Sequence, residues 1–228
     1  MIVQGPSFAA RGGDTPRDPD RNCPACPRLV AFREEHRQRS PDWHNAPVET
    51  FSSPAPRLLV VGLAPGLRGA NRTGRPFTGD YAGDLLYETL IDFGFASGRY
   101  EARPDDGLTL CDAAVTNAVR CVPPQNKPTG PEIRTCLPYL TATIESQENL
   151  RVLVALGRIA HDATLSALGL RRAAYPFGHG ARHEVGSGLV LFDSYHCSRY
   201  NTNTRRLTTE MFRDVFAAVR AEVDASRP

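Results

Sequence analysis

Four of the six cysteines constrain the fold most strongly, because they join the beginning of the chain to its middle. Cys23 and Cys26 form a Cys-x-x-Cys pair near the start, and Cys121 and Cys136 follow much later with fourteen residues between them. Four thiolates suit either a tetrahedral zinc ion or an iron–sulfur cluster. Zinc ribbons usually supply two close Cys-x-x-Cys pairs, whereas the wide second spacing fits a site built between a loop and the start of a helix. The spacing alone therefore leaves zinc and iron–sulfur open.

The composition excludes few classes of protein, but it indicates the cellular compartment. The chain has 228 residues and a formal net charge of +2, which is too small to identify a nucleic-acid-binding protein. Lys127 is the only lysine, and arginine is the better planar partner for phosphates. No segment reaches the roughly 20 apolar residues of a membrane span, so we expect a cytoplasmic protein with no membrane partner. There, paired cysteines more often bind metal than form disulfides, and we expect the two remaining cysteines, Cys111 and Cys197, to be simply buried.

Apolar segments alternate with amphipathic ones, which predicts an α/β fold with a mainly parallel sheet covered on both faces. Four apolar segments have the profile of buried parallel strands, at residues 57–63, 111–119, 152–156 and 189–192. Helical spacing predicts helices at 27–39, 81–93, 131–148, 157–168 and 207–223. Residues 1–21 are expected to form a flexible N-terminal arm and residues 22–225 a single domain. Ligands bind beyond the carboxyl ends of such strands, so the segments that follow them are where a functional site is expected.

The segment after the first predicted strand is a glycine-rich loop, with five glycines between residues 62 and 80. This composition is typical of a shaped loop at a ligand-binding edge, although a cluster of ordinary surface turns gives the same pattern. A phosphate-binding loop is a further alternative. The G-x-x-x-x-G-K-[ST] and G-x-G-x-x-G spacings are absent, however, which argues against a nucleoside triphosphatase or a dinucleotide enzyme.

The segment after the fourth predicted strand begins with His196 and continues with polar residues and three arginines. A lone histidine is more often structural than catalytic, but its place at the ligand-binding edge favours a functional role. His179 and His183 stand four residues apart in a glycine-rich loop rather than on a helix. We expect that pair to be incidental rather than a metal site.

Five motifs carry a resemblance to a known family: GLAPG (62–66), NRTGRPFTGD (71–80), AVRCVPPQNKPT (118–129), ALGR (155–158), and SYH (194–196) followed by Asn201 and Thr202. They closely resemble the family 5 uracil-DNA glycosylases of bacteria and archaea, and the match is collinear over roughly residues 20 to 220. The resemblance implies a three-layer αβα sandwich whose central four-stranded parallel sheet has the order 2-1-3-4. It also implies a four-iron four-sulfur cluster on Cys23, Cys26, Cys121 and Cys136.

The same resemblance implies hydrolysis of the N-glycosidic bond of uracil in DNA, and of other deaminated bases such as hypoxanthine and xanthine, leaving an abasic site. It assigns catalytic roles to Asp80, His196 and Asn126. Asp80 matches the acid thought to replace a residue that other families place within the first motif, and His196 matches the histidine that faces the base. The residues implied to contact the substrate are Gly62, Leu63, Ala64, Pro65, Gly66, Phe77 and Asn117. Phe77 matches the ring that stacks on the flipped base, whereas family members vary at Asn117.

The DNA strand must also be held, and the polar loops at the same edge supply candidates. The residues expected to contact DNA are Arg72, Arg75, Arg199, Tyr200, Asn201, Arg205 and Arg206. We expect the enzyme to act as a monomer, with DNA that contains uracil or other deaminated bases as its partner. Two rival hypotheses are a module that binds damaged DNA without cutting it and a zinc-containing hydrolase of a small nucleotide. Retention of both Asp80 and His196 argues against a module that only binds.

Overall fold

The computed structural model describes residues 16–225, which fold around one mostly parallel sheet. The strands are β1 Phe51–Ser52, β2 Leu58–Gly62, β3 Ala96–Ser97, β4 Thr109–Leu110, β5 Ala113–Asn117, β6 Val152–Leu156, β7 Arg182–Gly186 and β8 Leu189–Ser194. The helices are α1 Pro27–Arg39, α2 Ala70–Thr73, α3 Tyr81–Asp92, α4 Gly130–Glu145, α5 Arg158–Ala167, α6 Arg199–Asn203 and α7 Thr209–Ala225. Short 3₁₀ turns cover Pro124–Asn126 and Arg172–Ala174.

The main sheet has six strands in the order β1-β5-β2-β6-β8-β7. The inner four, β5, β2, β6 and β8, pair in parallel, whereas β1 and β7 add to the two edges in antiparallel orientation. The predicted α/β class and its central four-stranded parallel sheet are confirmed, whereas the two antiparallel edge strands were not predicted. The edge strands escaped prediction because β1 has only two residues and β7 is mostly exposed and polar. Neither has the apolar run that identifies a buried strand.

Alternate residues of β2 divide the core into two layers, because successive side chains of a strand point to opposite faces. Leu58 and Val60 pack on the side that carries α3 and α7, and Leu59 and Val61 pack on the side that carries α4 and α5. Every residue of β2, β5 and β6 is buried. Complete burial of a Val or Leu side chain contributes about 1.5–3 kcal/mol, so these strands form a rigid support for the loops at their carboxyl ends.

The long helices were predictable from apolar spacing and cap residues. α1 covers the predicted range, and α4 begins with a capping box between Thr129 and Glu132. α2 and α6 were not predicted, since four or five residues are too few to show a helical period. Within residues 16–225, no helix is both long and apolar enough to cross a membrane.

The predicted flexible arm lies mostly outside the described residues, since residues 1–15 are not among them. The part of it that is described is held by the domain. Asp18 Oδ1 accepts hydrogen bonds at 2.9 Å from both the N–H and the hydroxyl of Thr50. The fully buried Arg120 guanidinium lies 3.4 Å from the same oxygen, and Thr143 donates to the carbonyl of Arg17. Residues 17 and 18 of the predicted arm thus contact the domain, and the flexibility of the arm stays a prediction.

Candidate active site

Loops from three of the parallel strands surround one cavity of about 720 Å³ at the carboxyl edge of the sheet. The loop after β2, the segment that enters α3, the residues after β5 and the turn after β8 each contribute to its wall. Ten of the predicted site residues line it: Leu63, Ala64, Pro65, Gly66, Phe77, Asp80, Asn117, Asn126, His196 and Arg199. The sheet therefore brings together side chains that are far apart in the sequence, including Asp80 and His196, around a single space.

Asp80 immediately precedes α3, where its carboxylate faces the cavity. Burial raises the pKa of this carboxyl, and the nearby N–H groups of Gly83 and Ala82 offset only part of that effect. Its Oδ1 atom is buried without a hydrogen-bond partner among the described residues. An unsatisfied buried oxygen that faces a cavity is a position where a water molecule or a substrate group binds.

Two glycines make room for this carboxylate. A methyl group at Gly69 would lie 2.3 Å from Asp80 Oδ2, and one at Gly66 would lie 2.8 Å from the same oxygen. Real carbon–oxygen contacts are not this short, so any side chain at Gly69 would push the carboxylate away. The glycine-rich loop is shaped to admit an acid, which the sequence did not reveal because Gly69 and Asp80 lie in different elements.

His196 and Phe77 lie together in the wall of the same cavity. Their ring centroids are 5.9 Å apart and the ring planes differ by 27°. Burial lowers the pKa of His196 to about 4, so the imidazole is neutral near pH 7 and carries one N–H. A neutral histidine in a cavity wall can donate a hydrogen bond without adding a charge.

Phe77 is held in a strained backbone conformation. Its φ angle is +53°, a left-handed value that aromatic residues rarely adopt. Tyr100 donates a hydrogen bond to the carbonyl of Phe77, and a methyl group at Gly83 would lie only 1.7 Å from that oxygen. Such conformations cost about 1–3 kcal/mol and persist only where neighbours impose them. The surrounding chain thus fixes the position of the Phe77 ring.

Gly62 was predicted to contact the substrate, but the structure places it behind the cavity wall. It is not part of the cavity wall, because a methyl group there would lie 2.4 Å from the Phe77 ring and 2.5 Å from Asn117 Oδ1. Those two side chains cover it. Gly62 therefore supports the wall from behind, whereas the buried Asn117 at the end of β5 forms part of the surface.

Arg75 is not available to DNA, which corrects its prediction as a phosphate contact. Its guanidinium is buried and forms two hydrogen bonds, of 2.8 and 2.7 Å, with the carboxylate of Asp106. The rings of Phe51, Tyr87 and Tyr100 surround it with centroids 5.4–5.8 Å away. The hydrogen bonds from Arg75 hold the pKa of Asp106 well below its usual range. This pair anchors the loop that carries Phe77.

The remaining DNA-binding candidates lie at the surface, with one exception. Arg199 lines the cavity mouth and covers the ring of Tyr81 at 5.3 Å, and Arg205 is exposed. Tyr200 is 73% exposed, as a residue that inserts into a duplex must be. Asn201 is the exception, because its side-chain nitrogen donates to the carbonyl of His196 at 2.8 Å. That bond gives Asn201 a positioning role for His196 rather than a free donor for DNA.

Five further residues of the cavity wall were not predicted, and each lies close in the sequence to a predicted site residue: Arg68, Gly79, Tyr81, Ala82 and Ser198. The sequence signal was their adjacency to Gly66, Asp80 and His196. Nothing in their residue types distinguished them from ordinary surface residues.

The four predicted metal-binding cysteines line one small cavity together, beside Leu29, Val119 and Tyr139. They come from the segment before α1, the loop after β5 and the second turn of α4. Burial, together with the proximity of the other thiols, raises the pKa of Cys26 and of Cys136 and raises that of Cys121 to about 12. None of the six cysteines, all of which lie within residues 16–225, forms a disulfide bond. Of the other two, Cys197 is fully buried as expected, whereas Cys111 is only partly buried and so departs from its prediction.

Two observations test what this cysteine cavity fits. Four sulfurs around one tetrahedral zinc, at a Zn–S distance of about 2.3 Å, lie about 3.8 Å apart. Among residues 16–225, no three of these sulfurs come within 4.8 Å of one another, so their spacing is wider than a single zinc ion needs. Nε and Nη1 of the buried Arg33, which lines the cavity, also have no hydrogen-bond partner there, and the nearest carboxylate of Glu34 is 3.8 Å away. A larger, negatively charged group fits both observations.

A separate buried cluster joins β8 to α5 and β7. In the described part of the chain, His161, His183 and Asp193 are the one group of possible metal ligands whose atoms lie within 4.8 Å of one another. His161 Nε2 faces the carbonyl of Tyr175 at 2.9 Å, and its Nδ1 lies 2.7 Å from Asp193 Oδ1. Both ring nitrogens thus face acceptors at hydrogen-bond distance, an arrangement that favours the protonated imidazolium of His161. His179 is not part of this cluster, and its Nδ1 instead accepts a hydrogen bond from the N–H of Tyr195 at 3.1 Å.

Replacing Asp193 with asparagine is expected to destabilise the protein by about 3–5 kcal/mol, because it leaves a buried cation without its partner. Burial lowers the pKa of His161, but the bond to Asp193 more than offsets this and raises it above 6.5. The stabilisation is therefore complete below that ordinary value and is lost as the pH rises through the raised one. Urea unfolding at several pH values measures it, with Asp105→Asn at the surface as the control. Equal stability of Asp193→Asn and the parent protein near pH 6 would contradict the ion pair.

Comparison of the chain with known proteins identifies a family. Residues 49–220 match the model of the uracil DNA glycosylase superfamily. A type-5 uracil-DNA glycosylase of Thermus thermophilus is 49% identical over 199 residues, which are 85% of this chain and 90% of the relative. Similar proteins of the same name occur in Mycobacterium bovis, at 43% identity over 85% of this chain and 75% of the relative, and in Pyrobaculum aerophilum, at 38% over 90% and 89%.

Proposed function

The chain belongs to the uracil DNA glycosylase superfamily, and we propose that it hydrolyses the N-glycosidic bond of uracil in DNA and leaves an abasic site. The observation that carries this proposal is the convergence of Asp80, with its unpartnered buried oxygen, and the neutral His196 on one cavity. A module that only binds DNA has no need of a buried carboxylate beside an imidazole.

Cleavage breaks the bond between C1′ of the sugar and N1 of uracil. The bonding electron pair leaves with the base, so the sugar becomes an oxocarbenium-like cation and uracil an anion spread over its carbonyls. The Asp80 carboxylate favours the cationic sugar and orients the attacking water, whose oxygen bonds to C1′. The proton released by that water passes through Asp80 to solvent or to the departing base.

The departing base needs a donor aimed at its oxygen. A neutral His196 supplies an N–H for this purpose without becoming an acid itself. One preorganised donor in a site shielded from water contributes about 2.7–4 kcal/mol to the transition state. Asn201 holds the carbonyl of His196 and so helps to fix the direction of the ring.

The target base must leave the duplex before it can enter the cavity, at a cost of a few kcal/mol. Phe77, fixed by its neighbours in the cavity wall, offsets part of this through stacking, worth about 1–3 kcal/mol per base. The cavity of about 720 Å³ has room for a purine as well as a pyrimidine. On that basis we include hypoxanthine and xanthine among the substrates.

The four cysteines are proposed to hold a four-iron four-sulfur cluster. The wide sulfur spacing and the two Arg33 nitrogens without a hydrogen bond, Nε and Nη1, support it over a single zinc ion. When bound, the cluster would act as a covalent link between the segment before α1 and α4, with no part in the cleavage step. A single domain over 22–225 and a cytoplasmic monomer stay predictions.

Matched oligonucleotides that each carry one uracil, hypoxanthine or xanthine test the activity. After incubation with the protein, alkaline treatment cuts the strand at any abasic site, and gel electrophoresis measures the fraction cut. We expect cleavage of the uracil oligonucleotide and none of a thymine control. Tight binding to the lesion without strand scission would instead support a module that only binds. Iron and zinc analysis of the same sample tests the cluster.

Replacing Gly69 with alanine is expected to slow excision about a hundredfold, because misplacement of a reacting group by about 1 Å has an effect of that size. The added methyl group would lie 2.3 Å from Asp80 Oδ2 and must displace the carboxylate. Gly178→Ala is the matched control, since a methyl group there meets only Ala181 at 3.8 Å. Single-turnover rates measure the effect. If both variants cleave at the parent rate, the position of Asp80 does not matter to the reaction.

A further inference from the structure

A second groove lies against α2, which contributes Arg72 and Thr73 to its lining. It has a volume of about 550 Å³, and its other lining residues are Asp42, Trp43, His44, Ala102, Arg103 and Pro104. None of these residues except Arg72 and Thr73 belongs to a motif that the sequence analysis connected with function. The groove and the cavity are thus formed by neighbouring but different segments.

Arg72 separates the groove from the cavity. A methyl group at Gly79, which lines the cavity, would lie 3.0 Å from Arg72 Nη2, so the guanidinium packs directly against that backbone. The groove is also fixed to α2, because the N–H of His44 donates to the carbonyl of Arg72 at 3.0 Å. A chain that leaves the cavity past Gly79 therefore enters the groove beside Arg72.

Trp43 and Arg72 are two side chains of the groove that lack a partner among the described residues. Trp43 is partly exposed, and within residues 16–225 its indole has no ring contact or hydrogen bond. Arg72 is exposed and has no carboxylate partner in the same range. Arg103, by contrast, is paired with Glu101 at 2.7 Å and Asp105 at 3.6 Å. A ligand with a flat ring and one anionic group fits this arrangement.

We infer that the groove binds the nucleotide next to the extruded one, with its base stacked on Trp43 and its phosphate paired with Arg72. This inference rests on the proposed function, because the neighbouring cavity then holds the extruded base of the same strand. Stacking on an aromatic ring accepts any base, since every base has a flat face. A base that stacks on Trp43 has left its own pairing partner, so the groove favours single-stranded or frayed DNA.

Trp43 is the only tryptophan of the chain, so its fluorescence reports on this groove alone. The probe is a short single-stranded oligonucleotide with a tetrahydrofuran abasic analogue, which has no base to excise and separates binding from turnover. We expect quenching of Trp43 at saturation, with saturation measured independently by the anisotropy of a dye on the DNA. Truncating the strand on one side of the analogue should abolish the quenching, and truncation on the other side should not.

Three substitutions sharpen the test. Trp43→Ala should weaken binding of the full oligonucleotide about tenfold, whereas Trp43→Phe, which keeps a ring face, should remain within about threefold. Neither should change binding of the oligonucleotide truncated on the groove side. Arg72→Gln should reduce the slope of log Kd against log salt by about one, as expected for one lost phosphate contact.

The results separate this inference from the proposed function. Unchanged Trp43 fluorescence at full DNA saturation would overturn the inferred nucleotide binding in the groove, even if uracil is excised normally. Quenching with no excision of uracil from any substrate would support the groove and overturn the glycosylase. If Trp43→Ala weakened binding of the full and the truncated strand equally, the inferred role of the groove would also be overturned. Trp43 would then act through the fold rather than through contact with a base.

Discussion

Asp80→Asn is expected to lower the single-turnover rate of uracil excision by about 10²- to 10⁴-fold, the range usual for a group that directs a proton transfer. Asparagine has the same shape but no charge, so it cannot favour the cationic sugar. The substitution is not expected to unfold the protein, because asparagine is an equally good residue before a helix. Burial raises the pKa of Asp80, so its charge is unfavourable to the folded state above that pKa. The variant should therefore be at least as stable as the parent near pH 7.

The pH dependence of the parent enzyme provides a second measurement of the same residue. The carboxylate is the active form, and its pKa is raised from 3.8. The rate should therefore fall as the pH drops through a value above 3.8, and this acid limb should disappear in Asp80→Asn. Binding to an oligonucleotide with an abasic analogue is the control and should change little. An Asp80→Asn variant that cleaves at the parent rate would leave the reaction without its proposed base.

The sequence identified the framework and most of the cavity wall for a clear physical reason. Buried parallel strands are continuous apolar runs, and a parallel sheet collects the loops after its strands at one edge. Asn117 is the last residue of β5, His196 follows two residues after the end of β8, and Asp80 directly precedes the helix that comes after the β2 loop. Their meeting in one cavity could thus be expected before any coordinates.

The predictions that failed have one common cause, which is contact between segments that are distant in the sequence. Arg75 looks like other loop arginines, but Phe51, Tyr87 and Asp106 come from three separate elements to bury it. Gly69 looks like any turn glycine until Asp80 is placed against it. The sequence pattern records the period of each element but not which side chains face one another across the sheet edge.

The groove at Trp43 and the cluster at Asp193 illustrate the same limit in a different way. Trp43 lies in an irregular connection with no period, and the fold alone places it next to Arg72. Asp193 lies inside a strand, where an acid is unexpected, yet His161 on α5 makes it the centre of a buried ion pair. An acid in an apolar strand was the available signal, and its partner could not be identified without the packing of α5.

His196→Ala is expected to lower the single-turnover excision rate about 10²- to 10³-fold, the effect of removing one preorganised donor. Burial lowers the pKa of His196 to about 4, so the ring acts as a neutral donor and its titration adds no limb near pH 6.5. His196→Ala should therefore keep the acid limb that Asp80 produces, while the whole profile moves to lower rates. His196→Gln, which restores an N–H donor, should recover part of the loss, and His179→Gln serves as a histidine control outside the cavity. If His196→Ala instead lost the acid limb, His196 would be the titrating group and the base would depart by protonation rather than by a hydrogen bond.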